Sequence, residues 1–368
     1  HGQAQRVGLL ATTNIRGSHN MRVLQRIKET GDIFMARRNR RWILEGADVR
    51  VAMIGFDDGT EKIKTLDGRS VNVINADLTT STDLTQAKRL PGRRTLAYQG
   101  INKVGSFDVG EAKAQQMLSL TGNPHGRPNS DVIRPYVNAR DVMHRSRGRW
   151  IIDFGVDMDL EDAAQYQEPF EYVRENVKPQ RDKVRRKRRR ENWWLFGETC
   201  PGMRSGLAPL RRYIVTPAVS KHHVFAWLRP NVVPDHRLIV FIRDDDYFFG
   251  VLQSKPHRLW ATNKGARHGV GNDPVYTSTT VFSTFPFPWP PGEEPSDDPR
   301  VEAIANAARK LVEKRQAWLN PLAATEEELK KRTLTNLFND YPTWLELAHR
   351  KLDEAVLDAY GWPHHLND

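Results

Sequence analysis

The chain has 368 residues, 39% hydrophobic and 27% charged, with a formal charge of +11 at pH 7 and a pI near 9.7. That balance fits a globular chain of two or three domains and excludes a disordered one; no apolar run approaches the roughly 18 residues of a membrane span and no signal-peptide pattern opens it, so a cytoplasmic protein is expected. The single cysteine, Cys200, excludes an internal disulfide and a cysteine-based metal cluster, and the basic excess points to a polyanionic partner.

Arg6 to Thr12 is a near-continuous apolar run, which predicts a strand buried on both faces in a parallel sheet. Thr12, Thr13 and Asn14 end it, at the edge where α/β sheets place ligands; capping of the strand end is the alternative. Met21 to Thr30 carries Val23, Leu24 and Ile27 on one helical stripe stopped by Gly31, and Val49 to Phe56 alternates as a second strand. Between Asp57 and Arg93, Asp58-Gly59 and Asp67-Gly68 mark turns and a small hairpin. From Tyr98 a strand and a short helix follow, and Gly122 to Arg140 reads as a turn-rich entry to the next domain. Asn123-Pro124 there lacks the second proline and the aromatic of an Asn-Pro-Pro-aromatic catalytic loop. Glu111-Ala-Lys113 has no suitably spaced upstream acid and makes a poor metal-nuclease fragment.

Arg181 to Arg190 (RDKVRRKRRR) holds eight cations and one acid. Such a block neutralises phosphates without reading sequence, and Arg181, Lys183, Arg185, Arg186, Lys187 and Arg188 are the candidate backbone contacts; a solvated helix face is the alternative. Leu238 to Pro288 mixes aromatics, cations and base-edge-capable polar groups on what reads as strand and loop. Asp244-Asp245-Asp246 separates the runs LIVFI and YFFGVL and predicts a hairpin turn rather than a cation site. Lys221, His222, Ser254, Lys255 and His257 suit phosphate and positioning contacts, as does His223. Without acids at ligand spacing these histidines give no metal site. Asn263 to Tyr276 (NKGARHGVGNDPVY) puts Arg267, Asn272 and Asp273 on a Gly-rich backbone, the residue types that bond guanine, adenine and cytosine edges in the major groove. An ordinary exposed loop is the alternative. Helices close the chain: one from Pro299 with a stripe of Val301, Ile304, Ala305, Ala308, Leu311 and Val312, and two with capping boxes at Thr325/Glu328 and Thr343/Glu346. The last should bury Trp344, Leu347, Ala348, Leu352, Ala355, Val356 and Ala359.

In order, GNPHGRPNSDVIRP, RWIIDFG, YQEPFEYVRENVKPQR, ENWWLFGE, VSKHHVFAWL, DDDYFFGVLQSKPHRLWA, TFPFP and RTLTNLFNDYPTWLELAHRKLDEAVLDAYGWP resemble the target-recognition and C-terminal regions of MmeI-like (type IIL/IIG) adenine-specific DNA methyltransferases. LLATTNIRGSHN and RRWILEGADVRVAMIGF are similar to the end of that family's methyltransferase domain. The resemblance implies an α/β fold class: the C-terminal part of a Rossmann-like methyltransferase sheet over 1–80, an α+β target-recognition domain over 81–290 and a small α-helical domain over 291–368. It implies double-stranded DNA as partner and S-adenosyl-L-methionine as cofactor of the complete enzyme, which methylates the amine of a flipped adenine in restriction-modification or phage defence. The cofactor loop and the Asn-Pro-Pro-aromatic loop do not occur here. The chain is therefore expected to hold no cofactor and to need the N-terminal methyltransferase half or a partner subunit for methyl transfer. Trp42, beside the second strand, is placed where related enzymes stack the flipped base, with core packing as the alternative. A non-catalytic, sequence-specific DNA-binding module or specificity subunit is the competing function.

Overall fold

The computed structural model describes residues 4–16, 20–44, 47–80, 84, 87–268 and 273–366. They form two compact units: residues 1–90 with 219–221 and 259–285, and residues 91–218 with 222–258 and 286–368.

In the first unit, strand β1 (Arg6–Thr12), helix α1 (Met21–Thr30) and strand β3 (Ala47–Asp57) fall where the hydrophobic pattern puts them. Between α1 and β3 lies a strand that the pattern hides, β2 (Asp32–Leu44). Its pairing with β3 slips between Ile33 and Met35 and again between Arg37 and Arg40. Each bulge shifts the alternation by a residue, so no run of period two survives in the sequence. With β4 (Lys64–Leu66) and β5 (Arg69–Val71) the sheet order is β1-β3-β2-β4-β5. β1 pairs antiparallel with β3 at the sheet edge and most of it is exposed, against the expectation of a central parallel strand; only β2 and β4 run parallel. Asp67 and Gly68 both have positive φ, the geometry of the tight turn that an Asp-Gly pair favours between β4 and β5.

The core of this unit joins Leu24 and Ile27 of α1 to Ile33, Ala36, Ala52 and Ile54 of the sheet and to Leu66, Ile74 and Leu78. Val23 stays about half exposed. Gly31 ends α1 in extended backbone, not as a left-handed cap. A Cβ there would lie 1.9 Å from the Asp57 carbonyl oxygen, so close backbone approach requires the glycine.

The second unit has two four-stranded sheets. One is ordered β11 (Ala226–Leu228), β10 (Tyr213–Pro217), β13 (Leu238–Phe241), β6 (Ala97–Gln99), all antiparallel. The other is ordered β12 (Val233–Pro234), β8 (Ile133–Val137), β9 (Trp150–Ile152), β7 (Asp108–Val109). Short helices α2 (Glu111–Ser119), α3 (Ala139–Met143), α4 (Leu160–Ala164), α5 (Gln167–Asn176), α6 (Lys178–Arg181), α7 (Lys187–Glu191) and α8 (Pro201–Leu207) connect them. Every residue of β10 and β13 is buried, as expected of central strands.

After β13 the chain does not turn back as a hairpin. Asp245 caps helix α9 (Asp246–Gln253), its carboxylate accepting from the Phe248 amide at 2.8 Å, and Asp246 pairs with Arg212. A capped N-terminus supports about 1 kcal/mol of helix, which decides DYFFGVLQ for helix over strand. All of α9 after Asp246 is buried. Gly250 lets it approach α11 (Pro299–Leu319) and α14 (Thr343–Tyr360): a Cβ there would meet Ile304 Cγ2 at 2.7 Å and Leu352 Cδ1 at 3.2 Å. Helix α10 (Lys255–Lys264) follows, so the middle of the stretch expected as strand and loop is helical.

The buried stripe of α11 is Ile304, Ala305, Ala308, Leu311 and Arg315. The Arg315 guanidinium donates to the Phe225 carbonyl at 2.8 Å and to Gln253 Oε1 at 3.2 Å, and burial brings its pKa down to about 10. Gln253 Oε1 also accepts from the Phe225 amide at 3.0 Å, so α9 and α11 fasten the backbone leading into β11. Helix α12 (Glu326–Lys331) has the Thr325/Glu328 capping box. Helix α13 (Leu334–Asp340) is capped by Thr333. α14 starts instead from Pro342 without a side-chain cap, and buries Leu345, Ala348, His349, Leu352, Val356 and Ala359, leaving Leu347 exposed. No described helix is long and apolar enough to cross a membrane.

Candidate nucleic-acid interface

The candidate reading segment belongs to the first unit and hangs from the end of α10. Gly265 packs so closely that a Cβ would lie 2.6 Å from the carbonyl oxygens of both Ala261 and Val275. From there Arg267 pairs with Pro274 and His268 with Asp273 in a two-stranded ladder, and Val219 bridges Val275 on the other side. The ladder's base is held firmly: Tyr276 is buried, the Trp260 indole N–H donates to the Val281 carbonyl at 3.2 Å, and Lys264 Nζ donates to the Leu84 carbonyl. Asp273 is half-buried within the ladder. Asn272 and the Arg267 side chain lie outside the described residues.

The basic run belongs to the second unit and divides into three groups. Arg181 is buried at 1% exposure and its guanidinium donates to the carbonyls of Lys103, Arg189 and Leu195; burial, then the neighbouring Arg189, lower its pKa to about 10. This side chain ties α6 to the loop before β7 and is not presented to a phosphate. Arg186 and Arg189 pair with Glu198 at 3.4 and 2.7 Å, and Lys187 with Glu191 at 3.6 Å. Lys183, Arg185 and Arg188 are exposed and have no partner among the described residues. Proline near the start of α6 and the spacing of α7 thus turn one charge block into an internal brace and an exposed cationic ridge.

The remaining backbone candidates separate likewise. Ser254 and His257 are buried at the α9–α10 junction, the hydroxyl donating to the Val251 carbonyl at 2.7 Å and ring Nδ1–H to the Leu252 carbonyl at 2.7 Å. Burial pushes the His257 pKa down to about 3, against the pull of that carbonyl. Both hold the junction shut and face no solvent. The Lys255 amide donates to Asp353, leaving its side chain half-buried, and His222 bonds Asn339 Oδ1 at 2.9 Å. Lys221 is exposed. His223 is buried. No metal-holding group of His, Cys, Asp and Glu occurs among the described residues.

Trp42 stands on β2 opposite Val49 and is 37% exposed, so it is a surface ring at the far end of the hairpin and not a core one. The first unit also contains a cavity of about 270 Å³ that the sequence only hints at. Thr13 and Asn14, which follow β1, line it without Thr12, together with Gln25, Asn39, Asn263, Thr277, Thr279 and Thr280. Its charged lining is Arg16, Arg38, Arg89, Lys264 and Asp77. No motif marks these cations, because they come from four separate segments of the chain, around positions 16, 38, 89 and 264.

Residues 111–289 match the family model described as MmeI, target recognition domain. Among solved structures the chain is similar to the Type IIL restriction-modification enzyme MmeI in complex with DNA, with a TM-score of 0.76 and 20% identity over 97% of this chain and 47% of that chain. It thus spans about half the length of that enzyme, whose fold it shares. The type IIG restriction endonuclease BpuSI aligns over 97% of this chain and 47% of that one at a TM-score of 0.26 and 9% identity, too low to carry an argument. No curated protein sequence matches the chain.

Proposed function

We propose, on the premise that residues 111–289 belong to the MmeI target-recognition family, that this chain is the DNA-recognition portion of a site-specific, adenine-methylating restriction-modification enzyme. The family match carries the reading, since it includes both the ladder at Arg267–Pro274 and the cationic ridge at Lys183–Arg188. Two kinds of contact are needed for sequence-specific binding: cations that neutralise phosphates and fix the protein on the duplex, and polar groups that reach base edges. The ridge supplies the first. The Gly-rich turn from Arg267 to Asp273 supplies the second, with Arg267, Asn272 and Asp273 as readers.

S-adenosylmethionine carries a sulfonium cation, and the cavity of the first unit, whose charged lining among the described residues is Arg16, Arg38, Arg89, Lys264 and Asp77, does not suit it. The Asp77 carboxylate is moreover engaged by the amide and hydroxyl of Thr79. The cofactor is assigned to residues outside this chain, and methyl transfer to the complete enzyme. The reading is tested by selecting bound duplexes from a random pool with the full chain. One defined site should be enriched, and Arg267→Ala should relax a single position of it at a cost of about 1–3 kcal/mol. A pool that emerges without base preference refutes the reading.

A further inference from the structure

Strands β2 and β3 run on together past the rest of their sheet. β1 pairs with β3 only as far as Thr12 opposite Val51, and β4 pairs with β2 only at Met35 and Ala36. From Arg40 opposite Val51 outward to Leu44 opposite Ala47, no third strand lies beside the two. At about 3.3 Å per residue this ribbon is about 13 Å long. Its exposed side chains are apolar and cationic. Trp42 is 37% exposed and Ile43 67%, and as neighbours on one strand they point to opposite faces of the ribbon. Arg40, Arg41 and Arg50 are exposed, and Arg40 and Arg50 have no hydrogen bond or ion pair among the described residues. Arg41 and Arg50 stand directly opposite each other, a like-charge pair that destabilises the ladder. Over 37–51 the five arginines exceed the two acids, Glu45 and Asp48, whose side chains lie outside the described residues; Arg38 is paired with Asp67. An exposed Trp and Ile flanked by unpartnered arginines are unfavourable in water and favourable against a polyanion that carries apolar surface between its charges.

We infer that this ribbon is a second DNA-contact element and enters the major groove. That groove, about 12 Å wide and about 8.5 Å deep, admits a two-stranded ribbon; the minor groove, about 6 Å wide, does not. A ribbon about 13 Å long reaches the groove floor. Arg40 and Arg50, nearer the ribbon's base, then meet phosphates on the groove walls, and Trp42 and Ile43 cover base edges and thymine methyl groups on the floor. Trp42 thus meets base edges and not the face of a flipped base. For duplex DNA as the occupant the inference rests on the proposed function, and the excess of arginine over acid is the complementarity that selects it.

The test uses the full chain and two double variants, Arg40→Gln/Arg50→Gln and Trp42→Ala/Ile43→Ala. All four side chains are exposed, so both variants should melt with the native chain. On a duplex of fixed sequence at 0.1 M salt, the arginine variant should bind about 60-fold more weakly, and its slope of log affinity against log salt should fall by about 1.8, at about 0.9 per phosphate contact. Trp42→Ala/Ile43→Ala should keep the native slope, lose roughly tenfold in affinity, and open to dimethyl sulfate guanine N7 atoms in the major groove that the native chain protects. Native affinity, slope and N7 protection in both variants overturn the inference even where the chain still selects a DNA sequence. Native DNA binding by Trp42→Ala/Ile43→Ala with loss of self-association in sedimentation also overturns it, and makes a second copy of the chain the occupant. Enrichment of no defined site from a random pool, together with the arginine variant's loss of affinity and slope, refutes the proposed function and leaves the ribbon standing.

Discussion

Replacing Lys183, Arg185 and Arg188 together by glutamine measures how much of the DNA affinity the ridge supplies. These three side chains are exposed and have no partner among the described residues, so the substitution breaks no bond of the folded chain. Stability should stay within about 0.5 kcal/mol. Each phosphate contact contributes about 0.9 to the slope of log affinity against log salt, so losing three lowers the slope by about 2.7. At 0.1 M salt, 0.9 of a decade per contact is roughly an eightfold loss each, or about 500-fold together. The assay is fluorescence polarisation on a duplex of fixed sequence between 50 and 300 mM salt, with thermal melting as the folding control. A triple variant that melts normally and keeps the native slope refutes the assignment of the ridge to phosphate.

Arg181→Gln should behave oppositely: it strips donors from the carbonyls of Lys103, Arg189 and Leu195, and should lower stability by about 3 kcal/mol in denaturant unfolding while leaving the salt slope of the remaining folded protein unchanged. Stability should also depend on pH through two buried histidines and the half-buried Asp353. Burial lowers the pKa values of His257 and His349 to about 3, below their ordinary 6.5, so the stability they contribute is present above pH 6.5 and lost as pH falls. Asp353 is raised by burial to about 6 and favours the folded chain at low pH, an advantage lost as pH rises through 6. Near pH 5.5 the two histidines outweigh the aspartate by roughly one proton, so unfolding free energy should rise by about 1.4 kcal/mol per pH unit. Denaturant titrations at pH 5, 5.5 and 6 check this, and Asp353→Asn should steepen the slope.

Apolar content located α1, β1, β3 and the stripe of α11, although β1 is a mostly exposed edge strand and not one buried on both faces. It failed where a local signal competes with composition. YFFGVL has the aromatic content of a strand, but Asp245 supplies a cap three residues before the Phe248 amide, and the helix forms. Four arginines and two bulges hid β2, the longest strand of the first sheet. In the charge block, composition marked all eight cations alike, and only burial separates Arg181, bonded to three carbonyls, from Arg185 and Arg188.

The same reasoning bears on specificity. A reader must vary in sequence without unfolding its support, so its anchors have to lie outside the varying turn. The ladder at Arg267–Pro274 meets that demand: Gly265 is fixed by backbone packing, and Tyr276 and Trp260 are fixed by burial and hydrogen bonding. Exchanges within the turn should therefore change base preference at little cost in stability. Exchanges at Gly265 should not, since any side chain there displaces the Ala261 or Val275 carbonyl and with it the base of the ladder. The boundary between what can be exchanged and what cannot thus falls at Arg267 and Pro274, set by backbone contact more than by the chemistry of the readers.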